Sequence, residues 1–154
     1  MAYLDHLDRR PEGWSRTCGG VHLTASSLIC APASGQVLLT LHAKIGRWLQ
    51  TGGHLEATDP TLAAAALREA TEESGLAGLE LDPRPLLLSR HAVVCGEVSP
   101  TYHLDVQYLV LAPDASRPTV GEESHDVQWF DPDQLPDVDD SVRALVRAAA
   151  VRLH

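Results

Sequence analysis

Apolar positions recur every second residue along several stretches of this chain and at helical spacing along others. Val21 to Ala31 (VHLTASSLICA) and Gln36 to His42 (QVLLTLH) are apolar or β-rich and flank Pro32-Ala33-Ser34-Gly35. That pattern predicts a strand, a turn and a strand, paired as a hairpin. Pro85 to Cys95 (PLLLSRHAVVC) and Tyr102 to Ala112 (YHLDVQYLVLA) predict further strands. In the latter, His103, Asp105 and Gln107 alternate with Leu104, Val106 and Tyr108, the period of a half-buried strand. Val127 to Phe130 (VQWF) reads as a short strand before a Pro-bounded turn. The Ala-, Arg- and Leu-rich stretch from Ser141 to Leu153 forms the body of a C-terminal helix over about 139–153.

The best-specified element lies between these strands. Asp59 suits a helix N-cap, Pro60 the first helical position and Gly75 the position just past the end, so a helix is predicted from about Pro60 to Ser74. At roughly 100° per residue, Ala63, Ala66, Leu67, Ala70 and Ser74 share one face, small enough to pack closely on a sheet. Glu69, Glu72 and Glu73 lie on the opposite side. Strands on either side of a packed helix predict an α/β (α+β) fold with a mixed sheet and helices on its faces.

Composition narrows the class. At 154 residues the chain fits one domain, and 44% hydrophobic with 21% charged residues is the balance of a soluble globular protein. The apolar runs are too short and interrupted to span a bilayer, and the polar N-terminus (MAYLDHLDRRPEGW) is unlike a secretory signal. Cys18, Cys30 and Cys95 are odd in number and widely spaced, which favours free thiols in the cytoplasm. The eight histidines show no HxxxH or HxH spacing, so no zinc site is expected. Net charge is −9 and Lys44 is the only lysine, which argues against a broad nucleic-acid groove. An anionic small molecule remains a fitting substrate if a divalent cation sits between it and the protein.

The helix itself supplies the reason to expect one. Arg68 can pair with Glu72 at i+4, but Glu69 and Glu73 face Ala65 and Ala77 at that spacing. Like charges at i, i+3 and i+4 cost a few tenths of a kcal/mol each, and anions near a helix C-terminus oppose the macrodipole. Two local rules fail at one place, as expected at a functional site. A hard cation such as Mg²⁺ takes oxygen ligands, is shared between carboxylates and phosphates, and turns the repulsion into coordination.

These residues resemble the Nudix box, G-x5-E-x7-R-E-U-x-E-E-x-G-U with U a bulky aliphatic residue. Gly53 matches the opening glycine, and Arg68-Glu69, Glu72-Glu73, Gly75 and Leu76 match the second half in residue and spacing. Asp59 stands where the first glutamate is expected, the spacer after it is one residue longer, and Ala70 replaces the aliphatic residue. GRWLQTGGHLE (Gly46 to Glu56) resembles the family's strand and loop before the box, and EESHDVQWFDPDQLP (Glu122 to Pro136) its closing segment. The resemblance implies a single Nudix-type α/β/α sandwich over 1–154, with an N-terminal extension at 1–19. It also implies metal-dependent hydrolysis of a diphosphate linkage in a nucleoside diphosphate derivative or related small molecule.

Under that resemblance Glu69, Glu72 and Glu73 hold Mg²⁺ or Mn²⁺, with the Gly53 carbonyl as a further ligand. Arg68 orients a box glutamate. The general base is a box glutamate or one from a later loop, Glu123 first and Glu122 second; the competing reading of that loop is a solvated acidic segment. His54 is a candidate phosphate contact, and Trp48 either stacks on a base or caps the core. His103 and Asp105 share a strand face and line either a pocket or solvent. Two alternatives stand beside hydrolysis: an isopentenyl diphosphate isomerase of the same fold, with Cys95 as its catalytic cysteine, or a ligand-binding or regulatory domain without chemistry. Selectivity is expected to rest on loops near Trp48, 95–101 and 113–122. A homodimer is compatible with the sequence.

Overall fold

The computed structural model describes residues 21–95 and 98–154. The expected N-terminal extension, with Tyr3, Trp14 and Cys18, lies outside the described residues, as does the side chain of Cys95. The elements are β1 (Val21–Ala31), β2 (Gln36–His42), β3 (Trp48–Leu49), β4 (Thr51–His54), α1 (Leu62–Ser74), β5 (Glu80–Leu81), β6 (Leu87–Cys95), β7 (Val98–Leu111), β8 (Ser124–Phe130) and α2 (Asp140–Leu153).

β1 is the spine of one mixed sheet. Along one edge its C-terminal residues pair antiparallel with β2 (Ile29 with Leu38) and its N-terminal half with β4 (Thr24 with His54, Ser27 with Thr51). Along the other it runs parallel to β7, from Val21 against Tyr102 to Cys30 against Leu111. β3 and β8 extend the sheet from β2, and β5 and β6 from β7, all antiparallel. β7 begins at Val98, ahead of the alternation that starts at Tyr102, so 98–101 is strand rather than the expected selectivity loop.

The period-two alternation of β1 divides its side chains between two helices. Ala25 joins Ala65, Ala66, Val106 and Tyr108 under α1, and Ile29 joins Ala70, Leu76 and Val110 beside them. Leu28 and Cys30 face the other way, into a core with Leu39, Leu109 and the buried stripe Val142, Leu145, Val146 and Ala149 of α2. The result is an α/β/α sandwich. α1 uses Ala65, Ala66, Ala70 and Ser74 as its buried face, and side chains this small let the helix sit close to the strand that carries the glycine pair.

α1 starts later than its sequence predicts. Its N-cap is Thr61, whose Oγ1 accepts from the Ala64 amide at 3.0 Å, and not Asp59. Pro60 biases the residue before it away from helical backbone, and the longer spacer leaves Thr61 as the next residue able to cap. Asp59 is thereby freed for another role, described below. The far end stops as expected, at Gly75 in the left-handed region (φ 68°), with its amide bonded to the Thr71 carbonyl.

Candidate active site

β4 and α1 bring the glutamates to the glycine pair. Gly52 and Gly53 pair with Ser26 and Ala25 at the sheet's surface, directly beneath the acidic face of α1. The Gly52 amide donates to Glu73 Oε1 at 2.8 Å. A Cβ on Gly53 would lie 2.7 Å from Glu69 Oε1, so the missing side chain is the space that the Glu69 carboxylate occupies. Glu69 is largely shielded (15% side-chain exposure), while Glu72 stays in solvent at 59%.

Arg68 holds this edge together. Its Nε and Nη2 donate to the two Asp59 oxygens, each at 2.9 Å, a bidentate fork on a carboxylate only 5% exposed. Nη1 turns to Glu69 Oε1 at 3.1 Å and Glu72 Oε2 at 3.3 Å, and Nη2 also reaches the His54 carbonyl at 3.3 Å. The hydrogen bond from Arg68 keeps the Asp59 carboxyl below the ordinary carboxylate range. One guanidinium thus ties the loop before α1, the β4 end and the Glu69 side chain into one unit.

The β7–β8 connection closes the other wall. The Thr119 amide donates to the Ser74 carbonyl at 2.8 Å, and the Thr119 side chain occupies the space that a Cβ on Gly75 would need. Gly121 packs on the backbone of Glu72 and Glu73, and the Glu123 carbonyl accepts from the Ala43 amide at 3.0 Å. Together these contacts bring Glu122 and Glu123 to the rim. The cleft between the walls has a volume of about 480 Å³ and is lined by Gly53, His54, Leu55, Glu56, Glu69, Glu72, Glu73, Gly121, Glu122, Glu123 and Ser124.

Charge in this cleft is poorly balanced. Burial lifts the Glu73 carboxyl to about 8, with the neighbouring charges of Glu69 and Glu123 adding to the rise and the Gly52 amide opposing it. Glu69 is raised as well, by burial first, with Arg68 pulling it down. Two shielded carboxyls, both lifted by burial at the mouth of a cleft, are a donor set that a hard divalent cation fits, because the ion's charge cancels their repulsion.

A family model of the NUDIX domain matches residues 9–149. The chain belongs to the NUDIX family. Solved structures agree on the fold at low identity. An Ap4A hydrolase from C. elegans, in a binary complex, superposes with a TM-score of 0.67 at 15% identity, covering 85% of this chain and 96% of that one. The dihydroneopterin triphosphate pyrophosphohydrolase of E. coli gives 0.66 at 16%, covering 84% and 95%. A NUDIX family hydrolase from Clostridium perfringens gives 0.64 at 23%, covering 85% and 97%. A search of the curated proteins finds no match.

With the Nudix box placed, the residues singled out in the sequence divide. Gly53, His54, Glu69, Glu72, Glu73, Glu122 and Glu123 share one cleft, with Arg68 behind them. Trp48 is not in its lining; it packs edge-to-face on Phe130 at 4.9 Å, against the core on the α2 side. Asp105 is buried, accepting from Thr24 (2.9 Å), Ser26 (2.6 Å) and Gln107 (3.0 Å). His103 meets His54 and His22 on that same sheet face. Sequence reasoning missed His22 and the Asp59–Arg68 fork. The fork was open to discovery, since Asp59 occupies the acidic position of the box; His22 carries no local signal at all.

Proposed function

We propose that this Nudix pyrophosphohydrolase cleaves a diphosphate linkage in a nucleoside diphosphate derivative or a related small molecule, using Mg²⁺ or Mn²⁺. The observation that carries the reading is the pair of shielded carboxyls Glu69 and Glu73, set against the glycine pair in an open cleft. Glu69, Glu73 and the Gly53 carbonyl would hold the ion, with exposed Glu72 available for a second. A bound divalent ion supplies charge neutralisation at the diphosphate and a water of lowered pKa. The chain's own residues do the rest. Arg68 fixes Glu69 through the Asp59 fork and the Gly52 amide fixes Glu73, while the ring of His54, the phosphate candidate from the sequence, turns instead to His22 and His103 on the other face of the sheet. Glu123, on a loop tied to the helix end, is the candidate general base, with Glu122 second.

Neighbours of this fold act on or bind nucleotide-derived molecules by their names, among them Ap4A for the C. elegans enzyme and ADP ribose for the NUDIX domain of Shewanella oneidensis NrtR. Those names make a nucleotide-linked diphosphate the first substrate class to test. No described helix is long and apolar enough to cross a membrane, and cytoplasmic residence is part of this proposal.

The test is a panel of nucleoside triphosphates, nucleotide sugars, dinucleotide polyphosphates and non-nucleotide diphosphates, with and without Mg²⁺ or Mn²⁺, read by phosphate, pyrophosphate and nucleotide release. Turnover that appears only with metal is expected. Equal turnover in a chelator would contradict the proposal.

A further inference from the structure

A second cluster of ligand-type side chains lies on the sheet face away from α1. His22 on β1 and His103 on β7 are direct register partners, and His54 on β4 stands across from Thr24 on the other side of β1. The ring centroids are 5.3 Å apart for His22–His54, 5.2 Å for His22–His103 and 4.8 Å for His54–His103. The planes are inclined by 50° to 90°, so no two rings stack flat. Inclined rings can direct nitrogens at one point. The three candidate ligand atoms lie within 4.8 Å of one another.

We infer that His22, His54 and His103 form a binding site for a nitrogen-preferring divalent ion of the Zn²⁺ class, separate from the carboxylate site. Distances decide in its favour. Zn–N bonds are about 2.0–2.1 Å, so two nitrogens on a tetrahedral ion stand roughly 3.3–3.4 Å apart. The Nε2 atoms of His54 and His103 are 3.2 Å apart. In the ion-free state that separation is held by one hydrogen bond, which an ion would replace. All three histidines make other interactions as well, so binding exchanges contacts rather than filling a gap.

The neighbourhood suits a cation. Buried Asp105 lies two residues from His103 and is fixed by Thr24, Ser26 and Gln107, so the charged group beside the rings is an acid. The scaffold is three adjacent strands, which holds ligands more precisely than loops do. His91 of β6 is the register partner of His103, so half of the eight histidines fall in neighbouring strand positions around one point of the sheet. Imidazole selects Zn²⁺, Cu²⁺ or Ni²⁺ over Mg²⁺, so the two sites would sort their ions by donor type.

The experiment uses the full chain stripped of metal, then titrated with Co²⁺ in excess Mg²⁺ so that the carboxylates are already occupied. One equivalent of Co²⁺ with the strong visible absorption of tetrahedral nitrogen coordination is expected, displaced by Zn²⁺. His22→Gln and His103→Gln should each weaken binding by about tenfold or more. The Glu69→Gln, Glu73→Gln double variant should keep the spectrum. A wild-type chain that gives only the weak spectrum of octahedral Co²⁺ would overturn the inference, whatever the folding of the variants. So would a strong spectrum that survives both histidine changes or disappears with the glutamates.

Discussion

Gly53 and Glu69 define the site at the scale of single atoms. An added methyl at 53 displaces a flexible carboxylate rather than backbone, so Gly53→Ala should fold with little change in Tm. Its turnover should nonetheless fall, by up to about 100-fold, because displacement of a reacting group by an ångström costs on that order. Parallel melting curves and steady-state kinetics check both halves. Arg68→Lys tests the fork. Lysine cannot satisfy two Asp59 oxygens and Glu69 at once, and Asp59 is nearly inaccessible to water. A loss of about 1–3 kcal/mol in urea unfolding is expected, together with lower turnover. Glu73 is half-buried rather than on the surface as its helix position suggested, and burial raises its carboxyl pKa. Gln keeps the shape of the side chain and an oxygen to accept from the Gly52 amide, so Glu73→Gln should keep its fold.

Elements set where those atoms stand. Thr61 caps α1, so Thr61→Ala should cost about 1 kcal/mol of stability by chemical denaturation while the ligand set remains. The same change at Asp59 removes the fork on Arg68, so it should lower turnover as well as stability. α2 is clasped to the β5–β6 connection. Arg152 donates to Asp82 Oδ2 at 3.1 Å and to the Arg84 and Pro85 carbonyls at 2.8 and 3.1 Å. The hydrogen bonds from Arg84, with Arg152 assisting, hold the Asp82 carboxyl well below the usual range. A depressed folded pKa makes this contribution complete above the unfolded value of about 3.9, and lost as pH falls through the folded one. Asp82→Asn should therefore destabilise at neutral pH and lose less on acidification than wild type, as followed by Tm between about pH 6 and pH 2.

Much of this was legible along the chain, for physical reasons that differ by element. Both helices and the long strands announced themselves because burial on a sheet imposes a period on apolar residues. The stop at Gly75 was legible because left-handed backbone selects glycine. The start was misread because Asp59 satisfies the composition of a cap, and only the tertiary partner Arg68 reveals its other use. Trp48 read equally as a stacking platform or a core cap, and its packing on Phe130, residues distant in sequence, could not be inferred locally. The three histidines share a neighbourhood only through the β4–β1–β7 register, which no spacing rule along the chain detects.

At the scale of the whole molecule, the sandwich does one thing. It buries two hydrophobic layers against a sheet and leaves, at one end of α1, a cleft where two shielded carboxylates meet an acidic loop. A net charge of −9 would repel a diphosphate from that cleft without a cation between them. The most direct test compares wild type with Glu73→Gln on whichever diphosphate substrate turns over fastest, across a titration of Mg²⁺. Wild-type activity should rise with Mg²⁺ and saturate, while the variant, folded to the same Tm, should lose about 100-fold or more, since even residues behind a metal ligand cost 10–100-fold. Full Mg²⁺-dependent turnover by Glu73→Gln would show that the carboxylate pair is not where the metal acts.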